Sequence, residues 1–111
     1  FRHVHVLRSE ADVTAVAFVR EPLWNDRKGD TGPFDIIGDV HGCATELELL
    51  LAELAYARDE AGTFRHAAGR KVVFVGDLVD RGPRTPDVLR IAMAMVGAGS
   101  ALAVPGNHDV K

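Results

Sequence analysis

Three short apolar runs, each passing straight into a glycine-flanked polar turn, constrain this chain more than any other feature. Phe34-Asp35-Ile36-Ile37 runs into Gly38-Asp39-Val40-His41-Gly42, and Val72-Val73-Phe74-Val75 into Gly76-Asp77-Leu78-Val79-Asp80-Arg81-Gly82. Ala101-Leu102-Ala103-Val104-Pro105 runs into Gly106-Asn107-His108-Asp109. A helix-length segment separates each run from the next. The alternation predicts an α/β fold with a parallel sheet whose three strand ends lie on one edge. Ligands of such sheets collect at the carboxyl ends of the strands, so Asp39, His41, Asp77, Asn107 and His108 are expected to converge there.

The residue types in the turns say what would collect. Asp77, Asp80 and Arg81 at the end of a hydrophobic strand need a cation, an anion or both to offset their desolvation. Carboxylate, imidazole and amide oxygen together suit manganese, iron or zinc better than magnesium or calcium, which prefer oxygen alone. The lack of a cysteine pair argues against a structural zinc site. Asp77, on the middle turn, is the natural bridge between two ions roughly 3.5–4 Å apart, a spacing that activates water for attack on phosphorus. Each residue has a plainer alternative. Asp39, Asp77 and Asn107 beside glycine are ordinary turn formers, Arg81 could pair with Asp80 on the surface, and His108 could be a satisfied core histidine. Turn chemistry alone does not explain His41, Arg81 and His108 at matching places.

The motifs GDxHG, GDxxDRG and GNH followed by an acid resemble the metallophosphoesterases of the phosphoprotein phosphatase type. The resemblance implies the N-terminal βαβαβ half of a calcineurin-like metallophosphoesterase sandwich. It places Asp39 and His41 on a first metal, Asp77 between the two, and Asn107 on the second through its side-chain oxygen. Arg81 would hold the phosphoryl oxygens. His108 would protonate or stabilise the leaving group, oriented by Asp80. The family also uses two histidines well downstream of GNH, whereas His3, His5 and His66 lie upstream. Weak or absent turnover is therefore expected of this stretch alone.

The phrase FDIIGDVHGCATELELLLAEL, with Pro22-Leu23-Trp24-Asn25-Asp26-Arg27 before it, resembles the kinase-to-phosphatase junction of the bacterial polynucleotide kinase-phosphatases of RNA end repair. This resemblance implies a kinase-like tail over residues 1–20, a linker over 21–33 and the phosphoesterase part over 34–111. No GxxxxGK[ST] motif is present, so this stretch would not phosphorylate. The implied reaction removes 2′ and 3′ phosphates from RNA or DNA ends in the bacterial cytoplasm. Two divalent ions are implied, manganese first, with iron, zinc, nickel or cobalt as alternatives. The implied partners are phosphorylated RNA or DNA ends and the kinase, and a possible ligase, domain of the same longer chain. Alternatives are a diadenosine tetraphosphate hydrolase, which shares GNHD and the Pro86–Arg90 helix, or a serine/threonine protein phosphatase. An alternative of another class is a non-catalytic remnant that binds phosphate ends or partners.

Composition adds bounds. With 111 residues, 47% hydrophobic and 26% charged, the chain has room for one small core. A net charge of −3 provides no broad basic surface for non-specific nucleic-acid binding. The single Cys43 excludes an internal disulfide and fits a reducing compartment; next to the first motif it reads as small-residue packing. No apolar run approaches the ~18 residues of a membrane span. Phe1 is not a start methionine, and the chain is expected to begin inside a longer protein.

Local patterns complete the expectations. Residues 1–7 alternate as a short edge strand, with His3 and His5 on one face. Ser9 and Asp12 mark a helix start, Ala15–Val19 a second strand, and Trp24 an anchor in the linker. Thr45 and Glu48 form a capping box, followed by a Leu47, Leu50, Leu51 and Leu54 stripe. Arg58–Gly69 reads as a loop near the site rim, with Arg65 and His66 in reach of substrate. Thr85 is the expected cap of a helix whose first residue is Pro86 and whose buried stripe is Val88, Leu89, Ala92, Met95 and Val96. The methionines read as core filler.

Overall fold

The computed structural model describes residues 4–23 and 25–111, so the start of the strand expected over 1–7 and the anchoring role of Trp24 lie outside the described residues. The chain forms two compact units, residues 1–30 and 31–111.

Among its described residues the first unit holds one helix, α1 (Glu10–Ala15). Ser9 caps it by accepting the Asp12 N–H at 3.1 Å, and Asp12 accepts the Arg8 N–H at 3.0 Å. The short aspartate reaches one residue before the cap, where glutamate would reach the cap itself. These backbone and hydroxyl donors, Arg8 foremost, hold the Asp12 carboxyl below its ordinary range. Val4–Leu7 and Val16–Val19 are irregular, not strands. Alternation without a hydrogen-bonding partner strand does not make a ladder, and Phe18 and Val19 are 84% and 80% exposed.

The second unit contains β1 (Phe34–Ile37), α2 (Ala44–Glu53), β2 (Tyr56–Arg58), β3 (Phe64–His66), β4 (Lys71–Phe74), α3 (Thr85–Gly97) and β5 (Ala101–Ala103). The three long-range strands make a parallel sheet in the order β1-β4-β5, with Ile36 opposite Val73 and Val73 opposite Leu102. The parallel arrangement is the one that the repeated motif predicts. Ile37, Val72, Phe74 and Ala101 face the core, where they join Leu47, Leu51, Val88, Ile91 and Met95. Ile36, one residue out of step, is exposed on the other face.

The helix stripes are narrower than expected. Leu47 and Leu51 are buried, but Leu50 is 43% exposed. On α3 the core line is Val88, Ile91, Ala92 and Met95, an i, i+3, i+4, i+7 pattern that takes in Ile91 and leaves Val96 outside. Met95 fills the core, whereas Met93 is exposed. Both helix starts also move. Cys43 is the N-cap of α2 and Arg84 that of α3, neither with a side-chain cap bond, and Pro86 sits in the first turn after Thr85. Thr45 does not cap because it lies inside the helix, which already starts at Ala44; its hydroxyl instead accepts from Arg84 Nη1 at 3.1 Å, tying the two helix starts together.

The loop expected over Arg58–Gly69 is mostly a β-hairpin, with Tyr56 opposite His66 and Arg58 opposite Phe64. Asp59 closes its turn by accepting the N–H groups of Ala61 and Thr63 at 3.0 and 2.9 Å and Arg65 Nε at 2.8 Å. Three-residue strands are too short for an alternation pattern to register. The hairpin packs at the starting edge of the sheet. Tyr56 donates to Asp35 at 2.8 Å, and Ser100 Oγ donates to the Phe64 carbonyl at 2.8 Å. Arg70 grips Asp35 through both Nε and Nη2 and holds its carboxyl below the ordinary range, while burial and then Asp35 push the Tyr56 hydroxyl up. Arg65 and His66 therefore lie across the sheet from the motif turns, not on their rim. Among the described residues no helix is long and apolar enough to cross a membrane.

Candidate metal centre

The carboxyl ends of β1, β4 and β5 deliver the three motif turns to one place, and backbone bonds lock the turns together. The β1–β4 ladder continues past both strands: Val75 N–H donates to Ile37 O at 2.9 Å, His41 N–H to Asp77 O at 2.8 Å, Gly42 N–H to Leu78 O at 2.9 Å and Gly82 N–H to His41 O at 2.6 Å. Interlocking at this density leaves no room for side chains at two points. A Cβ on Gly76, whose φ is +97°, would collide with the backbone of Gly106, and one on Gly82 would collide with the His41 carbonyl.

The functional side chains sit on strained backbone. Asp39, His41, Asp77, Asp80 and Arg81 have φ of 53°, 46°, 55°, 67° and 67°, the left-handed region that non-glycine residues avoid. Such strain persists only where the surroundings over-determine it, and it concentrates at functional sites. Here the surroundings are the interlocked turns.

Within this frame Asp39, His41 and Asp77 each offer a ligand atom, and the three atoms lie within 4.8 Å of one another. His41 Nδ1 stands 3.0 Å from the Val79 carbonyl. A carbonyl can only accept, so Nδ1 carries the proton and Nε2 keeps its lone pair for a metal. Two carboxylates and one imidazole of fixed tautomer fit a divalent cation in chemistry, and their spacing fits donors ~2.0–2.2 Å from one ion after small side-chain movement.

Asp77 is held from both sides. Its Oδ1 accepts the His108 N–H at 3.0 Å, and its own N–H donates to Asp109 Oδ2 at 2.7 Å. Asp109 also accepts from Leu78 at 2.9 Å, Val79 at 3.2 Å and Gly106 at 2.8 Å. Burial pushes the Asp109 carboxyl up, but these four N–H groups outweigh it and leave the group below its ordinary range. Asp109 thus ties the third turn to the second. Sequence reasoning gave it no role; its signal was the acid that ends the third motif. The Val79 carbonyl behind His41 carries no side-chain signal at all.

His108 Nδ1 lies 2.9 Å from Asp80 Oδ2, and its ring meets His41 edge to face at 5.0 Å. The His108 bond, above all, holds the Asp80 carboxyl below its ordinary range; Lys111 Nζ, 3.5 Å from the same oxygen, adds to this. Asp80 is thus engaged by His108 and Lys111. Asn107 and Arg81 stand exposed on the third and second turns. The seven residues singled out in the turns gather at one sheet edge, while Arg65 and His66 do not join them, and His5 belongs to the other unit.

Residues 32–111 match the family described as calcineurin-like phosphoesterase. Among curated proteins, the asymmetrical bis(5′-nucleosyl)-tetraphosphatase PrpE of Halalkalibacterium halodurans is 51% identical over 78 residues, 70% of this chain and 31% of that protein. The namesake from Oceanobacillus iheyensis is 49% identical over 77 residues, 69% of this chain and 30% of its own. That of Bacillus subtilis is 43% identical over 78 residues, 70% and 32%. The chain spans about a third of the length of these relatives. The names of these relatives favour the tetraphosphatase alternative over the polynucleotide kinase-phosphatase expectation.

Proposed function

The chain belongs to the calcineurin-like phosphoesterase family, and from that premise we propose that it carries part of a hydrolytic site for phosphate esters or anhydrides of nucleotides. The relatives' names support a bis(5′-nucleosyl) tetraphosphate, cut asymmetrically, as the substrate class. The observation that carries the site itself is the Asp39, His41 and Asp77 cluster with His108 bonded to Asp80 beside it.

Asp39, His41 and Asp77 would hold one divalent ion, and Asp77 with Asn107 would contribute to a second; manganese suits this mixed donor set. Bound ions of this kind supply Lewis acidity and lower the pKa of water. The remaining work belongs to the chain's own residues. Arg81, exposed at the tip of its turn, would bind the phosphoryl oxygens through its guanidinium fork. As the bond from phosphorus to the leaving oxygen breaks, that oxygen needs a proton. The Asp80 bond puts one His108 proton on Nδ1, so an imidazolium at this position would donate its second proton from Nε2. Asp109 acts at a distance, by fixing the turn that carries Asp77. The reducing cytoplasm that the lone Cys43 fits is the compartment of this reading.

A second reading, the 2′/3′-end phosphatase of a polynucleotide kinase-phosphatase, is favoured by one observation. The family match begins at residue 32, and residues 1–30 form a unit of their own. The two readings separate in one assay of the full-length native protein with manganese: release of unequal products from diadenosine tetraphosphate supports the first, and release of phosphate from a 3′-phosphorylated oligoribonucleotide the second. Asp77→Asn should lower either activity by about 10³-fold or more and abolish manganese binding. Full activity in that variant would overturn the metal-site reading for both.

A further inference from the structure

The Asp80 side chain is 47% exposed on the second turn, where an aspartate swings between rotamers unless a partner from another segment holds it. Two partners come from the third turn. His108 Nδ1 lies 2.9 Å from Asp80 Oδ2, and Lys111 Nζ lies 3.5 Å from the same oxygen and 3.3 Å from His108 Nδ1, so the three groups close a triangle. The backbone turn over residues 107–110 brings Lys111 back beside His108. That turn is itself anchored, because Asp109 within it accepts the N–H groups of Asp77, Leu78, Val79 and Gly106. Lys111 therefore reaches Asp80 from a fixed base.

We propose that Lys111 is a positioning residue for protonation of the leaving group, holding Asp80 Oδ2 in the direction that aims His108. The inference rests on the leaving-group role given to His108 and Asp80 above and deepens it. Three features carry it. An ammonium has only donors and an ionised carboxylate only acceptors, so the contact between Lys111 and Asp80 keeps its sense whichever proton His108 holds. The oxygen that Lys111 meets is the one that His108 meets, so any change in its direction passes straight to the imidazole. Lys111 also stands on the Nδ1 side of His108, which leaves Nε2 clear for the leaving oxygen; its part is to aim the ring and not to touch the substrate. A half-exposed ion pair of this kind adds little to stability. Its loss shows instead in catalysis, where a small misplacement of a reacting group is costly.

The test is a double-mutant cycle in the full-length protein with manganese, on whichever of diadenosine tetraphosphate and the 3′-phosphorylated oligoribonucleotide the native form hydrolyses. Lys111→Met, at a side chain that is 63% exposed, should lower kcat about fivefold and leave KM, the manganese Kd and the Tm near their native values. Lys111→Arg, which keeps the charge, should recover most of that loss. In a His108→Ala background Lys111→Met should cost nothing more, because the group it aims is gone. A fivefold loss that persists in the His108→Ala background would overturn the proposal, as would a native kcat in Lys111→Met or a loss confined to KM. A native kcat in His108→Ala would instead remove the leaving-group reading, and the inference with it.

Discussion

Asp109 shows how much of this site depends on one side chain that never needs to touch a substrate. Its carboxylate takes four backbone N–H groups from two turns, and without it those donors lose their partner in a half-buried place. Charge-assisted bonds are worth about 1.5–3 kcal/mol each at most and are not additive, so Asp109→Ala should cost on the order of 3 kcal/mol of unfolding free energy. Urea unfolding at pH 7 reads this. The same group gives a pH prediction. Its folded pKa is depressed, so its contribution is fully present above the unfolded value of about 3.9 and is lost as pH falls through the lower folded value. The native protein should lose stability below about pH 4 more steeply than Asp109→Asn, which has no proton to take up there. Parallel slopes in the two proteins would sink the assignment. At Gly76 the argument is steric. A methyl group would meet the Gly106 backbone at a positive φ, so Gly76→Ala should destabilise more than the ~1 kcal/mol typical of point substitutions.

At the scale of elements, the hairpin of β2 and β3 is the correction with the clearest consequence. It closes the starting edge of the sheet, opposite the motif turns, through Tyr56 and Arg70 on Asp35 and Ser100 on Phe64. Arg65→Ala and His66→Ala should therefore leave kcat/KM within about twofold of the native value, where residues at the rim of a phosphate site would cost tenfold or more. Ser100→Ala removes a buried hydroxyl from the Phe64 and Met95 carbonyls and should cost about 1 kcal/mol without altering KM. The paired helix starts form a second such device. Arg84 Nη1 holds Thr45 while Arg84 N–H donates to Gly42 O at 2.9 Å, so α3 is docked against the turn that carries His41. Helix caps were expected from local sequence, but the partner that engages Thr45 comes from 39 residues away.

For the whole molecule, metal, fold and site form one linked system. A cation that binds the folded cluster and not the unfolded chain stabilises the fold by mass action, about 2.7 kcal/mol at a hundredfold excess over Kd. Manganese should raise the Tm of the native full-length protein, a chelator should reverse the rise, and Asp77→Asn should show neither effect in calorimetry. The parallel sheet and the convergence of the three turns were legible in the chain, because apolar runs ending in Gly-Asp or Gly-Asn appear at helix-length intervals and parallel crossovers admit few alternatives. The meeting of Asp39, His41 and Asp77 was legible for the same reason, since strand ends on one edge bring their next residues together. What only the tertiary structure decided is which groups support that set. The Val79 carbonyl that orients His41, the four donors on Asp109, the exchange of Thr45 from cap to Arg84 partner, the hairpin and the exposed side of Leu50 all depend on contacts between segments far apart in the chain. Local pattern records what a residue does for its own element; backbone carbonyls and N–H groups are the same at every position, so their long-range partners are written only in the folded form.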